Sequence, residues 1–290
     1  MVQSRFSEWP VILSLGNRAN TFLRVTKHPS NMIHSYVLKP SDDLPSRPHC
    51  APPRFVAAFT SFELLIVIVV LALLLVTILP SLARLQGGAQ RSVCSDNLRR
   101  LMQATTMYAT DSRDYLPEPN WGTPFFPPGW LYKSTSGSVP DPTLPPYNIN
   151  PKLAYEGGLL WPYIKEMVVY RCPLDWTNCA AWRQRANKLS SYKMNAAVCG
   201  YGTISPSSWK LSQFRPSAFC FVQGLESFPF AWNDGAAFPD EGGGRAHSPV
   251  TPIGTFGGAV SWWSIVDYNK QAISTGSNLA WCNPGSANGH

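Results

Sequence analysis

Charged residues are scarce in this sequence: Asp, Glu, Lys and Arg make up only 14% of its 290 residues. Histidine is scarcer still, with five in all and only His247 and His290 after residue 58. No G-x-S-x-G, H-E-x-x-H or phosphate-cradling glycine loop occurs, so neither a nucleophile elbow, a zinc protease helix nor a nucleotide cradle is expected. No C-x-x-C pair and no histidine cluster occur either, which argues against a thiolate metal site. The chain is not short of aromatics, and at 12% they exclude a wholly disordered or collagen-like protein. The net charge of +7 sits mostly at the front. Residues 1–58 hold seven Lys/Arg against three Asp/Glu, and the remainder holds 17 against 14, so an argument for nucleic acid from charge disappears with the front segment.

One long apolar run is present. Phe59 to Leu79 contains a single charge, Glu63, and neither Gly nor Pro. As a helix its 21 residues would extend about 31 Å, matching a bilayer core of about 30 Å. Leu, Ile and Val on every face point to lipid rather than to a buried core helix. Lys39, Arg47 and Arg54 precede the run and Arg84, Arg91 and Arg99 follow it, so flanking charge does not orient it. The run is longer than the core of a cleavable signal peptide, and the small pair Ala57-Ala58 lies before it, not after it.

Beyond the run, Leu82, Leu85, Ala89, Val93, Leu98, Leu101, Met102, Thr105, Tyr108 and Ala109 recur mostly at three- and four-residue steps, with Arg84, Arg91, Arg99 and Arg100 between them. An amphipathic helix is expected to continue to about residue 112. It should kink at Pro80 and bend or unwind at Gly87-Gly88, and Asp111 to Pro117 should end it. Pro117 to Pro151 predicts a long loop. Met167–Arg171, Ala218–Val222 and Gly258–Trp263 are the strand candidates. The expected fold is α+β and lollipop-shaped: a long N-terminal helix, transmembrane then amphipathic, packed on a small antiparallel β-sheet head with long loops.

The stretch Phe59-Thr60-Ser61-Phe62-Glu63-Leu64-Leu65-Ile66-Val67-Ile68 resembles the cleavage and methylation segment of type IV pilins and type II secretion pseudopilins. The resemblance implies cleavage between Ala58 and Phe59, methylation of the new terminus, and a Pro after the span, here Pro80; Ala58 stands where the family normally has Gly. It divides the chain into a leader (1–58), a transmembrane helix (59–79), an amphipathic helix (80–112) and a periplasmic or extracytoplasmic head (113–290). The leader is long for the family, and an internal start at Met32 would shorten it. Glu63 would engage the N-terminus of a neighbouring subunit, the alternative being that its carboxylate snorkels to the headgroups.

Arg171-Cys172-Pro173-Leu174-Asp175 and Ser191-Tyr192-Lys193-Met194-Asn195 resemble the Cys-Pro-x-Asp and Ser-Tyr-x-Met-Asn motifs of the pseudopilin-like family of planctomycete, verrucomicrobial and lentisphaeral bacteria. That family also carries His, nine residues, then Asp-Gly. Here His247 is followed at that spacing by Gly257-Gly258, with Gly in place of Asp. The implied protein is a structural filament subunit of a type II secretion or type IV pilus-like system, not an enzyme. Its implied partners are a prepilin peptidase, other pseudopilins, the secretion platform and the inner membrane.

Six cysteines follow the leader, Cys94, Cys172, Cys179, Cys199, Cys220 and Cys282; on an oxidising side they admit fifteen pairings, of which Cys172 with Cys179 is favoured. No cofactor is expected; calcium held by Asp234, Asp240 and Glu241 is the family-based alternative to a solvated turn. His247 reads as a structural histidine hydrogen-bonded to the sheet, with a Cys/His nucleophile pair as its alternative. Two other functions remain on the table. A membrane-anchored polysaccharide-binding module would use Trp121, Trp130 or Trp262-Trp263, and a DNA-binding pilin would use Arg183, Arg185 and Lys188 beside Trp182.

Overall fold

The computed structural model describes residues 60–122, 128–134 and 137–290, of which 79–86 by backbone only. It is a mixed α/β structure. Helix α1, Ser61–Asp111, is 51 residues long. Its start is fixed by a capping box: the Thr60 hydroxyl accepts the Glu63 amide (3.3 Å), and the Glu63 carboxylate accepts both the Thr60 amide and the Thr60 hydroxyl (2.9 Å each). Its end is fixed by the Ser112 amide bonding to Tyr108 O, followed by Arg113 and Asp114 at φ 57° and 74°, a left-handed pair that cannot continue a right-handed helix. Between these ends α1 stays helical through Pro80 and Gly87-Gly88, so the expected unwinding is absent. A cost of about 1 kcal/mol per Gly is spread over many intact turns on either side.

The first part of α1, Ser61–Ile78, is long and apolar enough to cross a membrane and buries no residue in the rest of the protein. The second part is amphipathic as expected, and among the side chains described its buried face starts at Cys94: Ala89 and Val93 are exposed, whereas Cys94, Leu98, Leu101, Met102, Ala104, Thr105 and Ala109 are buried.

That face lies on a five-stranded sheet of order β3-β1-β2-β4-β5, formed by β1 (Tyr192–Asn195), β2 (Phe219–Gln223), β3 (Ala236–Ala237), β4 (Val250–Thr255) and β5 (Val260–Ser264). α1 packs against β2, β4 and β5 and against the short helix α2 (Trp161–Ile164). Gly254 in β4 admits the helix closely, since a Cβ there would meet Met102 Sδ at 3.2 Å. Leu98, Leu101 and Met102 share their core with Tyr192, Met194, Cys220, Phe221 and Trp130. A short helix α3 spans Ala180–Gln184. α4 (Ile265–Ala272), capped by Ser264, packs on β4 and β5 and shares a second core with Phe219, Val222 and Ile253.

Two expectations are corrected. The sheet is mixed, because β3 runs parallel to β1 while the other neighbours are antiparallel. Met167–Tyr170 is a 3-10 turn, not a strand. It lies along α1, and side chains claim carbonyls in and just after it: Asn97 Nδ2 donates to Val168 O (3.4 Å) and Arg171 O (2.9 Å), and Ser190 Oγ to Tyr170 O (2.9 Å), in place of a strand neighbour. The candidates at 218–222 and 258–263 coincide with β2 and β5.

Candidate functional site

Where α1 first enters the head, three side chains far apart in sequence converge. Cys94 Sγ, Cys172 Sγ and a ring nitrogen of His247 all lie within 4.8 Å of one another, and all three residues are buried. Cys172 Sγ is 3.2 Å from His247 Nε2, and Cys94 Sγ is 3.1 Å from the Tyr192 hydroxyl. Cys94 is the first fully buried position of α1 among the side chains described. Cys172 follows the Met167–Tyr170 turn and accepts the Leu174 amide at 3.4 Å. Tyr192 opens β1, and His247 ends the loop before β4.

The surroundings hold this cluster in place. The His247 ring meets Trp262 of β5 edge to face, with centroids 5.0 Å apart, and Trp262 Nε1 donates to Ser95 Oγ, next to Cys94 (3.1 Å). Arg91, one turn earlier on α1, stands over the Trp262 ring at 5.7 Å. The hydrogen bond from Cys172 draws the Cys94 thiol below its ordinary pKa, while the same contact and burial push Cys172 up. Burial raises Tyr192 well above the usual phenol value. Two sulfurs and an imidazole enclosed in this way can share a proton, form a disulfide or ligate a soft ion. With the thiols and imidazole all but sealed from solvent, a Cys/His nucleophile has no open approach for a macromolecular substrate.

Cys94 carried no local signal beyond its place beside the apolar stripe, and the absence of close Cys and His spacing hid the cluster. Three side chains around it belong to the quoted motifs. Cys172, Tyr192 and His247 meet here, so the imidazole addresses a thiol, not the sheet as expected. The remaining motif residues are structural neighbours. Asp175 bonds Arg185 and the Ser191 hydroxyl. Met194 is fully buried. Asn195 Nδ2 donates to Phe219 O (3.0 Å) and Ala280 O (2.8 Å), joining β1 to the C-terminal segment. Pro173 is exposed, and Gly258, at φ 85°, forms the β4–β5 turn.

Ala58 and Phe59 lie outside the described residues, as does the side chain of Pro80. All six described cysteines are free thiols, and Cys179 bonds Trp176 O and the Trp182 amide instead of Cys172, which corrects the favoured disulfide. The acidic residues proposed for calcium do not gather. Asp234 accepts the Ala236 and Gly122 amides, Glu241 takes the Lys193 ammonium at 2.6 Å, and Asp240 is exposed. Trp130 is fully buried with its indole N–H on Gly235 O, and Trp121, Trp262 and Trp263 are half-buried against other rings, so none offers the open face a sugar stack needs. The basic cluster is likewise dispersed: Arg185 is buried on Asp175 and Lys188 is bound to Asp141 at 2.6 Å, leaving Arg183 exposed. No family model, curated protein or solved structure matches this chain.

Proposed function

We propose that the chain is a pseudopilin-like structural subunit, cleaved between Ala58 and Phe59 by a prepilin peptidase, held in the inner membrane by α1 with its head in the periplasm, and assembled into a type II secretion or type IV pilus-like filament. The observation that carries this reading is the division of labour within a single helix. Ser61–Ile78 leaves its apolar side chains exposed, and from Cys94 onward the same helix supplies one face of the head's core. Exposed Leu, Ile and Val on all sides need lipid or neighbouring helices to cover them. A subunit built in this way can exchange one for the other without disturbing its head.

Glu63 has a definite place in this reading. Its carboxylate caps its own helix through Thr60. Cleavage before Phe59 would put a new α-amino group within a turn of that cap, and a neighbouring subunit's terminus would then compete with Thr60 for the carboxylate. The test is N-terminal peptide mass spectrometry on protein from native membranes. A mature terminus at Phe59 bearing one methyl group is expected; an intact leader or a terminus after Leu79 would overturn the proposal. Loss of assembly in Glu63→Ala, with the head still folded, is expected in the same host.

A second reading, a membrane-anchored polysaccharide-binding module, keeps one observation in its favour. Trp176 is 69% exposed and borders an open cleft of about 510 Å³ with Glu226 and Arg245. Retention of the protein in a glycan-containing gel, lost in Trp176→Ala, would favour that reading over a purely structural head.

A further inference from the structure

We infer that Cys94, Cys172 and His247 are the three protein ligands of one thiophilic divalent metal ion, of the zinc class, that clamps α1 to the head. The inference is independent of the filament reading.

The donor set is the first argument. Two thiolates and one imidazole are ligands that soft and borderline ions select, and the carboxylates that would favour a hard ion are absent from the group. Spacing is the second. Around zinc, with sulfur at about 2.3 Å and nitrogen at about 2.0–2.1 Å, tetrahedral donors stand about 3.5–3.8 Å apart. The three donor atoms here are mutually within 4.8 Å, and Cys172 Sγ and His247 Nε2 are 3.2 Å apart. Side-chain rotations that change these separations by no more than about 1 Å bring all three to one ion.

Charge and hydrogen bonding agree with this. A divalent ion with two thiolates and a neutral imidazole is electrically neutral, so the site needs no counter-ion in a place sealed from water. Each sulfur also has a donor beside it: the Leu174 amide at Cys172 and the Tyr192 hydroxyl at Cys94. Groups of this kind orient ligands and stabilise thiolates around a metal. The other buried cysteines show no such convergence; Cys199, for example, spends its S–H on Ala196 O. A disulfide would join Cys94 to Cys172 but leave His247, held by Trp262 against Cys172, without a role.

Binding would release the two thiol protons to solvent as two metal–sulfur bonds form, with no change of oxidation state. The result is a three-point tie among α1, the loop after Met167–Tyr170 and the approach to β4, at the first buried turn of the long helix.

The test uses the full chain, purified in detergent under anaerobic reducing conditions, stripped with chelator and titrated with Zn²⁺ alone and with Co²⁺ alone. One ion per chain is expected, together with a sulfur-to-cobalt charge-transfer band. Cys94→Ser and His247→Ala should each weaken zinc binding by more than the 10- to 100-fold that loss of a supporting group costs, and Cys179→Ser should leave it unchanged. The cobalt band of the unaltered chain decides the matter even where a variant misfolds. No retained ion, a band without thiolate character, or a Cys94–Cys172 disulfide in a non-reducing peptide map of protein from native membranes would overturn the inference.

Discussion

Asp175 and Arg185 form a two-pronged ion pair, Nη1 to Oδ2 at 3.0 Å and Nη2 to Oδ1 at 3.2 Å, with side chains 2% and 0% exposed. The Arg185 guanidinium also lies 4.2 Å from the centre of the Trp232 ring. Asp175 Oδ2 accepts the Ser191 hydroxyl at 2.8 Å as well, so one carboxylate ties the Cys-Pro-x-Asp segment to the start of β1. Cys172 and Tyr192 are therefore positioned partly by their motif neighbours.

Removing one half of such a pair leaves a charge buried without compensation, which costs about 3–5 kcal/mol. Asp175→Ala is expected to destabilise the head by that amount, and Ser191→Ala by about 1 kcal/mol, because the latter removes a single hydrogen bond. Denaturant unfolding of the detergent-solubilised chain, followed by tryptophan fluorescence, measures both. A loss below about 1 kcal/mol in Asp175→Ala would mean that water reaches the pair.

Much of this architecture was legible in the sequence where chemistry is local. The apolar run, the helix end at Asp111 and the aromatic strands β2 and β5 follow from periodicity and turn residues. β1 was hidden because it is four residues long and carries Lys193, whose ammonium is buried on Glu241 and the Ala231 carbonyl. β4 was hidden because Pro252 and Gly254 interrupt its pattern, and the parallel β3 is two residues long. Met167–Tyr170 has strand-like residues, but Asn97 and Ser190 claim its carbonyls, a tertiary effect with no local signature. The Cys94, Cys172 and His247 cluster arises only when α1, a loop and the entry to β4 meet. The quoted motifs marked two of its members without indicating that they touch.

The seam between α1 and the sheet should be sensitive on one face only. Leu101 is fully buried in the shared core, whereas Val93, two turns earlier, is 45% exposed. Leu101→Ala is expected to cost about 2–5 kcal/mol, and Val93→Ala no more than about 0.5 kcal/mol. Equal effects in the same unfolding assay would show that the buried face has been placed wrongly.

Glu118 makes the head's stability depend on pH. The residue is 5% exposed at the edge of a cleft of about 490 Å³, with one carboxylate oxygen on Ser205 Oγ (3.0 Å) and the other without a partner among the described residues. Burial raises its pKa to about 7, only partly opposed by the Ser205 hydrogen bond. A carboxyl whose folded pKa lies above its unfolded value binds its proton more tightly in the folded state. Its contribution is therefore fully favourable below about 4.5 and is lost as pH rises through about 7. Glu118→Gln, which keeps an oxygen for Ser205, is expected to be more stable than the parent by about 2 kcal/mol at pH 8, with the difference vanishing near pH 4. A constant difference across that range would assign the effect to packing.

The glycine that departs from the His-x9-Asp-Gly pattern has a steric reason that can be tested. Gly257 donates its amide to Pro216 O at 2.8 Å, and a Cβ at Gly257 would stand 2.9 Å from that oxygen and 3.0 Å from Pro216 Cβ. The first contact is with backbone, so a side chain at 257 can be accommodated only by moving the Pro216 turn that leads into β2. Introducing an acidic residue in Gly257→Asp is expected to destabilise the head by about 1–3 kcal/mol, as overpacking does, and Gly257→Ala should cost a similar amount because the clash begins at Cβ. Gly258→Ala isolates the other contribution. Nothing lies within 4 Å of its Cβ, yet its φ of 85° strains any residue other than glycine. If Gly257→Asp proves neutral while Gly257→Ala is costly, the carboxylate has found a partner that offsets the clash. If both are costly and equal, the Pro216 turn has closed over the place that an aspartate would take.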